Sequence, residues 1–231
     1  MRVERIRPVL VAVALLGLTM TACGDQTEAG QRARRNPYAA VEDLPEALAP
    51  DGTTIVVGDL RRMPVHVYED MRCPVCREVE VTGAGGSLLE MTLGKEVRTE
   101  YTLSSGLDGR LGGTGSKKAV NALRAALEQG RFAEYRAVLL RNQPQENGDG
   151  YTDALLLEAA SRVDGLRGPA FDSAVAEMRY ADFAEKSQKA YEAAGAPVLP
   201  AVDINGRRLP ETQSDVLLVK DFLPVLVDGY R

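Results

Sequence analysis

Two cysteines separated by two residues constrain this chain more than any other feature. They belong to the segment Cys73-Pro74-Val75-Cys76, which follows the apolar run Val65-His66-Val67-Tyr68 and precedes residues that can begin a helix. The apolar run predicts a strand, so the cysteines lie at a strand-to-helix junction. This arrangement is typical of a redox-active pair, although half a metal site or a structural disulfide could use the same spacing.

Length and charge narrow the class of protein. The 231 residues suffice for one domain with a large core that carries an insertion. The net charge of -5 and the lack of a basic patch with interleaved aromatic residues argue against a nucleic-acid partner. The chain has three cysteines, an odd number that requires an explanation for the third, Cys23.

The N-terminus has the pattern of an export signal. Three arginines precede the apolar run Val9 to Leu18, which is shorter than the about 20 residues that a membrane span needs. The next segment, Leu18-Thr19-Met20-Thr21-Ala22-Cys23-Gly24, resembles the lipobox of bacterial lipoproteins. The resemblance implies a signal peptide over residues 1–22 and a Cys23 that carries a diacylglyceryl group and palmitate-type acyl chains at the cell membrane. An ordinary signal peptide with an incidental cysteine is the alternative.

Residues 23–50 are mostly polar and predict a lipidated tether in front of a folded domain. Within it, Ala39 to Ala49 could form a short helix that Pro45 interrupts. A lipid on Cys23 would leave Cys73 and Cys76 as the only free pair. The predicted compartment lies outside the cytoplasm, where disulfides form and persist.

Residues 51–115 predict the first part of an α/β domain. Three segments have the composition or alternation of strands: an edge strand over Thr53 to Val57, a central one over Pro64 to Tyr68, and a half-buried one over Glu96 to Leu103. After Cys76 we expect a helix to about Val81, a break at a cluster of glycines, and a second helix from Ser87 to Leu93. The Gly-rich segment Ser104 to Gly115 is expected to be flexible.

Residues 116–196 predict a helical insertion. Apolar residues recur at helical spacing in five groups: Val120, Leu123 and Leu127; Phe132, Tyr135 and Leu139; Leu155, Ala159 and Val163; Phe171, Val175 and Met178; Phe183, Ser187 and Tyr191. Thr152 or Asp153 is expected to cap the third helix, and Pro169 suits the first turn of the fourth. We interpret the five stripes as the core-facing sides of a helical subdomain.

Residues 197–231 predict the second part of the α/β domain. Ala201 to Ile204 has the composition of a strand, Asn205-Gly206 is a strong hairpin signal, and Arg207 to Leu209 would pair back. A last helix is expected from a Ser214 cap to about Leu226, with Pro224 as a kink or an early end.

Two motifs and the helical segment between them resemble one family. The stretch Tyr68-Glu69-Asp70-Met71-Arg72-Cys73-Pro74-Val75-Cys76 is similar to the active-site segment of the DsbA-like branch of the thioredoxin superfamily. Leu199-Pro200-Ala201-Val202-Asp203-Ile204-Asn205-Gly206 resembles the loop that carries the cis-proline of this fold. The resemblance covers about residues 51–231 and implies a thioredoxin-like fold with an inserted helical subdomain.

The resemblance also implies an activity. Members of this family are exported thiol-disulfide oxidoreductases, so exported proteins with thiols or disulfides are the expected substrates, and a redox partner in the membrane is compatible with a tether. The only expected redox group is the disulfide Cys73–Cys76, without a metal or other cofactor. Pro74, Val75, Leu199 and Pro200 would form the active-site loops, with a cis Pro200 that exposes the backbone of Leu199 to a substrate peptide.

Three positions depart from the family pattern. Members often carry a buried acid six residues before the first cysteine, where this chain has Val67. The residue pair between the cysteines often contains His or Tyr, where this chain has Val75, and Leu199 replaces the usual Thr or Val. These differences concern the redox potential, the direction of the reaction and the route of the proton, none of which the sequence determines.

The chemistry of the first cysteine follows from its place at a helix start. The positive end of the helix dipole stabilises an anion by about 0.3–2 kcal/mol, which corresponds to about one pKa unit. Cys73 is therefore the predicted nucleophile, exposed and activated, and Cys76 is the more buried resolving cysteine. Glu69 and Asp70 are interpreted either as solvated charges or as groups that tune Cys73.

Other uses of the cysteines remain open. A zinc site could combine both thiols with His66 and a carboxylate from Glu69 or Asp70, although His66 is more consistent with a packed strand residue. Copper delivery and a purely structural disulfide are further readings. The alternative function is therefore a lipoprotein that uses the fold without turnover, to bind a metal or a protein partner.

Overall fold

The computed structural model describes residues 37–144, 150–196 and 198–231. The predicted signal peptide, Cys23 and the first half of the tether lie outside the described residues. Within the described part, no helix is both long and apolar enough to cross a bilayer.

A six-stranded mixed sheet forms the centre of the molecule. The strands are β1 (Glu46–Leu48), β2 (Ile55–Val57), β3 (Met63–Glu69), β4 (Val97–Leu103), β5 (Ala201–Ile204) and β6 (Arg207–Arg208). Their order across the sheet is β1-β2-β4-β3-β5-β6, in which β3 and β4 run parallel and the other neighbours are antiparallel. The segment Cys73-Pro74-Val75-Cys76 therefore follows a central strand, β3, as predicted.

Nine helices accompany the sheet in the described ranges. They are α1 (Pro74–Val81), α2 (Gly85–Leu93), α3 (Leu107–Leu111), α4 (Gly115–Leu127), α5 (Phe132–Arg141), α6 (Asp153–Ala160), α7 (Pro169–Ala176), α8 (Ala181–Ala193) and α9 (Leu223–Gly229). Short 3-10 helices cover Val41–Asp43 and Glu211–Leu218. Helices α1 and α2 connect β3 to β4, while α3 to α8 lie between β4 and β5.

The helical block follows the predicted pattern. The apolar stripes of α4 and α5 are buried, and α4 packs against α5, α7 and α8. The hydroxyl of Thr152 accepts a hydrogen bond from the N–H of Leu155 and caps α6, and Pro169 occupies the first turn of α7. The α/β fold with inserted helices is thus confirmed.

The structure corrects the prediction near residue 50. Glu46–Leu48 pairs with β2, so β1 is the edge strand and Ile55–Val57 is an inner strand. The helix expected over Ala39 to Ala49 is a three-residue 3-10 turn. The Glu46 carboxylate accepts hydrogen bonds from the N–H groups of Phe132 and Ala133, both at 2.7 Å. The tether predicted to reach residue 50 therefore includes residues that belong to the fold.

Two smaller expectations were also wrong, and one segment contains a helix that was not predicted. Ser104 to Gly115, for which only flexibility was predicted, contains helix α3. On α6 it is Leu156 that is buried, while Leu155 is 40% exposed. The last helix is two elements, because Pro224 lies in the first turn of α9, where its missing N–H costs nothing, and Ser214 does not cap it.

Candidate active site

The two cysteines lie where β3 leads into α1. Cys73 is the N-cap residue of α1, and Pro74 occupies the first turn, where its fixed φ suits a helix start. The Sγ of Cys73 accepts a hydrogen bond from the backbone N–H of Cys76 over 3.2 Å. An N-cap cysteine thus replaces the usual oxygen acceptor with sulfur, and the helix N-terminus faces that sulfur.

The environment separates the acidities of the two thiols. A hydrogen bond from the Cys76 side chain, helped by backbone N–H groups, lowers the pKa of Cys73 below its ordinary value, although burial opposes this shift. Burial raises the pKa of Cys76 well above its ordinary value. Cys73 is therefore the thiol that ionises first, and Cys76 is the one that stays protonated.

The prediction that Cys73 is exposed was wrong. Only 5% of its surface is accessible, against 2% for Cys76. The covering group is the loop before β5, because the Cys73 thiol donates to the carbonyl oxygen of Leu199 over 3.6 Å. The Leu199–Pro200 peptide bond is cis, as the family resemblance implied. Pro74 and Val75 are exposed beside the sulfur, so the predicted loop residues do come together around Cys73.

Asp70 anchors the turn between β3 and the cysteines. It is fully buried, and its carboxylate accepts hydrogen bonds from the N–H of Arg72 at 2.9 Å, the N–H of Leu107 at 3.1 Å and the hydroxyl of Ser116 at 2.7 Å. Burial is the main cause that raises the pKa of Asp70, to about 6. The reading of Asp70 as a solvated charge was therefore wrong.

The inserted helices also hold this turn by its carbonyl groups. The amide of Gln143 donates to the carbonyl oxygens of Met71 at 2.6 Å and Cys73 at 3.0 Å. The hydroxyl of Tyr151 lies 3.3 Å from the carbonyl oxygen of Met71, and the guanidinium of Arg72 pairs with Asp108 at 2.8 Å. These contacts could not be predicted from the sequence, because the partners are far apart along the chain and carry no motif.

Glu69 is a second buried acid, so of its two interpretations the solvated charge was wrong here too. Its side chain is 1% exposed and forms a two-pronged ion pair with Arg136, with N–O distances of 2.5 and 2.6 Å. Arg136 also binds Glu80 at 2.7 Å and lies over the ring of Tyr101. The alternation of β3 places Glu69 on the same face as Val67. A buried acid is therefore present, two residues after the position where the family pattern has it.

A cavity of about 350 Å³ lies beneath the cysteine pair. It is lined mainly by aliphatic side chains of the sheet and of α1, α2 and α5, and Val67, Glu69, Cys76, Arg136 and Pro200 are among its walls. Cys76 and the Glu69–Arg136 pair thus line the same cavity. Leu88 and Val202 are among the apolar residues that line the rest of the cavity.

His66 is directed away from this site. It alternates to the other face of β3, where it stacks on Tyr68, contacts the hydroxyl of Thr102 at 2.8 Å and lies 3.3 Å from Glu100. In the residues that the structure describes, no group of three or more His, Cys, Asp or Glu side chains is arranged to hold a metal ion. His66 is therefore a packed strand residue and does not join the thiols.

A family model described as Thioredoxin matches residues 51–219 of the chain, which span the cysteine pair, the inserted helices and the cis-proline loop. The chain belongs to the thioredoxin family. A search of curated proteins returned no significant match.

This thioredoxin-family fold is similar to solved structures of DsbA-type proteins. The MdbA protein of Corynebacterium diphtheriae, a thiol-disulfide oxidoreductase, is 21% identical over 77% of this chain and 93% of its own, with a TM-score of 0.58. BdbD of Bacillus subtilis is 15% identical over 79% and 94%, with a TM-score of 0.64. The reduced disulfide bond oxidoreductase DsbG of Mycobacterium tuberculosis is 19% identical over 83% and 95%, with a TM-score of 0.57. The fold with its inserted helices is thus shared with these proteins.

Proposed function

We propose that the chain is a thiol-disulfide oxidoreductase of the DsbA type that exchanges disulfides with exported proteins through Cys73 and Cys76. The observation that carries the proposal is the hydrogen bond from the N–H of Cys76 to the Sγ of Cys73 at the start of α1. Because only a thiolate attacks a disulfide, a site that stabilises one thiolate and keeps its neighbour protonated suits exchange.

The exchange proceeds through a mixed disulfide. When the protein is oxidised, a substrate thiolate attacks the Sγ of Cys73, the Cys73–Cys76 bond breaks, and Cys76 leaves as a thiolate that takes up a proton. A second substrate thiolate then attacks the substrate sulfur of the mixed disulfide, which oxidises the substrate and releases Cys73 as a thiolate. The reverse sequence reduces a substrate disulfide, and the reduction potential determines which direction dominates.

The substrate surface is proposed around the sulfur of Cys73. Pro74 and Val75 are exposed on one side of it. On the other side, the backbone at Leu199, held by the cis bond to Pro200, offers a strand-like partner to an extended peptide. Backbone pairing is independent of side chains, so this surface suits substrates of varied sequence.

We propose further that a lipid on Cys23 holds the protein at the outer side of the cell membrane. The support is the lipobox-like segment at residues 18–24 and the polar residues between Cys23 and the first 3-10 turn at Val41–Asp43. A membrane anchor would bring the cysteine pair close to newly exported chains and to a redox partner in the membrane.

Disulfide exchange with a dithiol peptide tests the proposal. The oxidised protein is expected to oxidise the peptide, and Cys73→Ala is expected to be inactive. Cys76→Ala is supplied as a mixed disulfide of Cys73 with glutathione. This variant should oxidise the peptide, but without peptide it should not release glutathione, because the resolving thiol is missing. A protein that retains its disulfide in the presence of peptide thiols, while the reduced pair binds copper tightly, would instead support a binding protein without turnover.

A further inference from the structure

The C-terminal segment Val216 to Val227 is apolar on both of its sides. Lys220 and Asp221 are the only charged residues in it. One side packs into the core through three buried side chains, Leu217, Leu223 and Val227. A segment that is apolar all round is normally covered on every side, by protein or by lipid. The side that the core leaves uncovered therefore requires an explanation.

Three large apolar side chains occupy the uncovered side, and we call them the outer face. Val219, Phe222 and Val225 have 54%, 38% and 62% of their surface accessible. The N–H of Phe222 donates to the carbonyl oxygen of Val219 at 3.3 Å, and α9 follows at once. Residues three apart on such a turn are neighbours on one side of it. Their side chains thus form one patch, and exposed apolar patches mark contacts with a protein or a membrane.

The N-terminal tether enters the fold beside the end of α9. The N–H of Tyr38 donates to the carbonyl oxygen of Leu93 at 3.2 Å, and the Nζ of Lys95 lies 4.6 Å from the centre of the Tyr38 ring. The next residue, Glu96, lies 3.8 Å from the guanidinium of Arg231, which follows α9. One short loop thus contacts both the start of the described chain and its C-terminal end.

We propose that the outer face docks on the lipid bilayer that holds Cys23, a contact that rests on the lipid anchor proposed above. Residues 24–37 span at most about 50 Å even when fully extended, so the anchor keeps the outer face near the lipid. Three side chains bury too little area to hold a free protein on a membrane. A short tether converts this weak contact into an intramolecular one at a millimolar effective concentration, which favours the docked state.

Docking through the outer face leaves the cysteine pair accessible. Cys73 lies at the first end of α1, and the N–H of Ala84, beyond the other end, donates to the carbonyl oxygen of Leu217 at 2.8 Å. The eight residues of α1 separate these two ends by about 12 Å. The segment with the outer face therefore joins the rest of the fold at the end of α1 that is remote from Cys73. The docked protein would present its redox site to exported chains instead of to lipid.

Tryptophan fluorescence tests the contact, because the chain contains no tryptophan and a single introduced one reports alone. The lipidated full chain carrying Phe222→Trp is added to phosphatidylcholine vesicles, with and without bromine on the acyl chains, and the protein that floats with the vesicles is measured. Leu111→Trp is the matched control. Leu111 is 42% exposed, and the carbonyl oxygen of the next residue, Gly112, accepts from Arg72 beside the cysteine turn.

We expect brominated lipid to quench the emission of Phe222→Trp at least about twofold, since docked apolar side chains lie about 5–10 Å into the boundary between headgroups and acyl chains. Leu111→Trp should keep its emission. Addition of Val225→Asp to Phe222→Trp should abolish the quenching, because a charge on the outer face opposes its entry into lipid. Val225→Trp serves as a second reporter in case Phe222→Trp does not fold.

Three results would overturn the proposal. Floated protein whose outer-face reporters are not quenched, or are quenched no more than Leu111→Trp, has no preferred contact with lipid through this face. Emission that shifts to the blue as the protein density on the vesicle rises, without any effect of bromine, means that a second copy of the chain covers the outer face. Wild-type protein that does not float shows that the lipid anchor itself is absent, and then both proposals fail.

Discussion

The backbone N–H of Cys76 donates to the Sγ of Cys73 over 3.2 Å, so the residue with the more buried thiol stabilises the anion of the less buried one. Pro74 is compatible with this geometry, because it lies in the first turn of α1, where a residue without an N–H is tolerated. The two sulfurs are thus chemically different although they belong to one helical turn. This difference is what a stepwise exchange through a mixed disulfide requires.

The free energy of unfolding should depend on pH through the protonation of Asp70. Its pKa is raised from 3.8 to about 6 in the folded protein. The folded state therefore holds this proton more tightly, so its contribution to stability is fully present below the unfolded pKa and is lost as pH rises to about 6. In urea unfolding, the wild-type free energy minus that of Asp70→Asn should fall by about 2–2.5 kcal/mol between about pH 4 and pH 7. A difference that does not change with pH would contradict the assignment.

Removal of Arg136 should be strongly destabilising. Arg136→Met leaves the carboxylate of Glu69 buried without its cation, which costs about 3–5 kcal/mol of unfolding free energy. In Arg136→Met/Glu69→Gln the cost should be clearly smaller than the sum of the single changes. Arg162→Met is the surface control, since its pair with Glu158 is exposed and should contribute about 0–1 kcal/mol. Additive effects of the two buried changes would argue against a coupled cluster.

The fold should depend on residues before position 51. Glu46→Ala removes the carboxylate that accepts from the N-terminal N–H groups of α5, and we expect a loss of about 1–2 kcal/mol in thermal or urea unfolding. Glu42→Ala, an exposed glutamate of the preceding 3-10 turn, should change stability by less than about 0.5 kcal/mol. Equal effects of the two variants would place the start of the fold later than β1.

Membrane attachment should depend on Cys23. Cells that express the full chain and are fed labelled palmitate should incorporate label into the wild type and not into Cys23→Ala. The variant should also lose its association with the membrane fraction. Retention of label by Cys23→Ala would refute the lipoprotein assignment and leave the redox site unaffected.

The sequence predicted most of the architecture because the helices and central strands are long enough to show a period. Val97 to Leu103 alternates clearly, and the stripes on α4 and α5 repeat over three turns. Strand β1 has only three residues and follows Pro45, so it carries no periodic signal. The run Leu155-Leu156-Leu157 does not define a phase, and the buried face was therefore misplaced by one residue.

The sequence predicted the position of the cysteine pair and of the cis-proline loop, but not the groups that support them. Cys73, Cys76 and Pro200 belong to motifs, and the structure brings them together. Glu69 is a charged residue at a strand end, and its burial depends on Arg136, which lies 67 residues away along the chain. Short-range patterns contain no information on such a pair. The burial of Cys73 was missed for the same reason, since the covering carbonyl group belongs to Leu199.

The most direct test of the account is the titration of the thiolate absorbance near 240 nm. In the reduced protein, we expect one thiolate with a midpoint well below the free-thiol value of about 8.5 and a second that forms only at much higher pH. The first should be absent from Cys73→Ala and retained in Cys76→Ala with a higher midpoint, because the side-chain hydrogen bond from Cys76 is lost. Two thiols that titrate together at or above about 8.5 would contradict the assignment of Cys73 as an activated nucleophile.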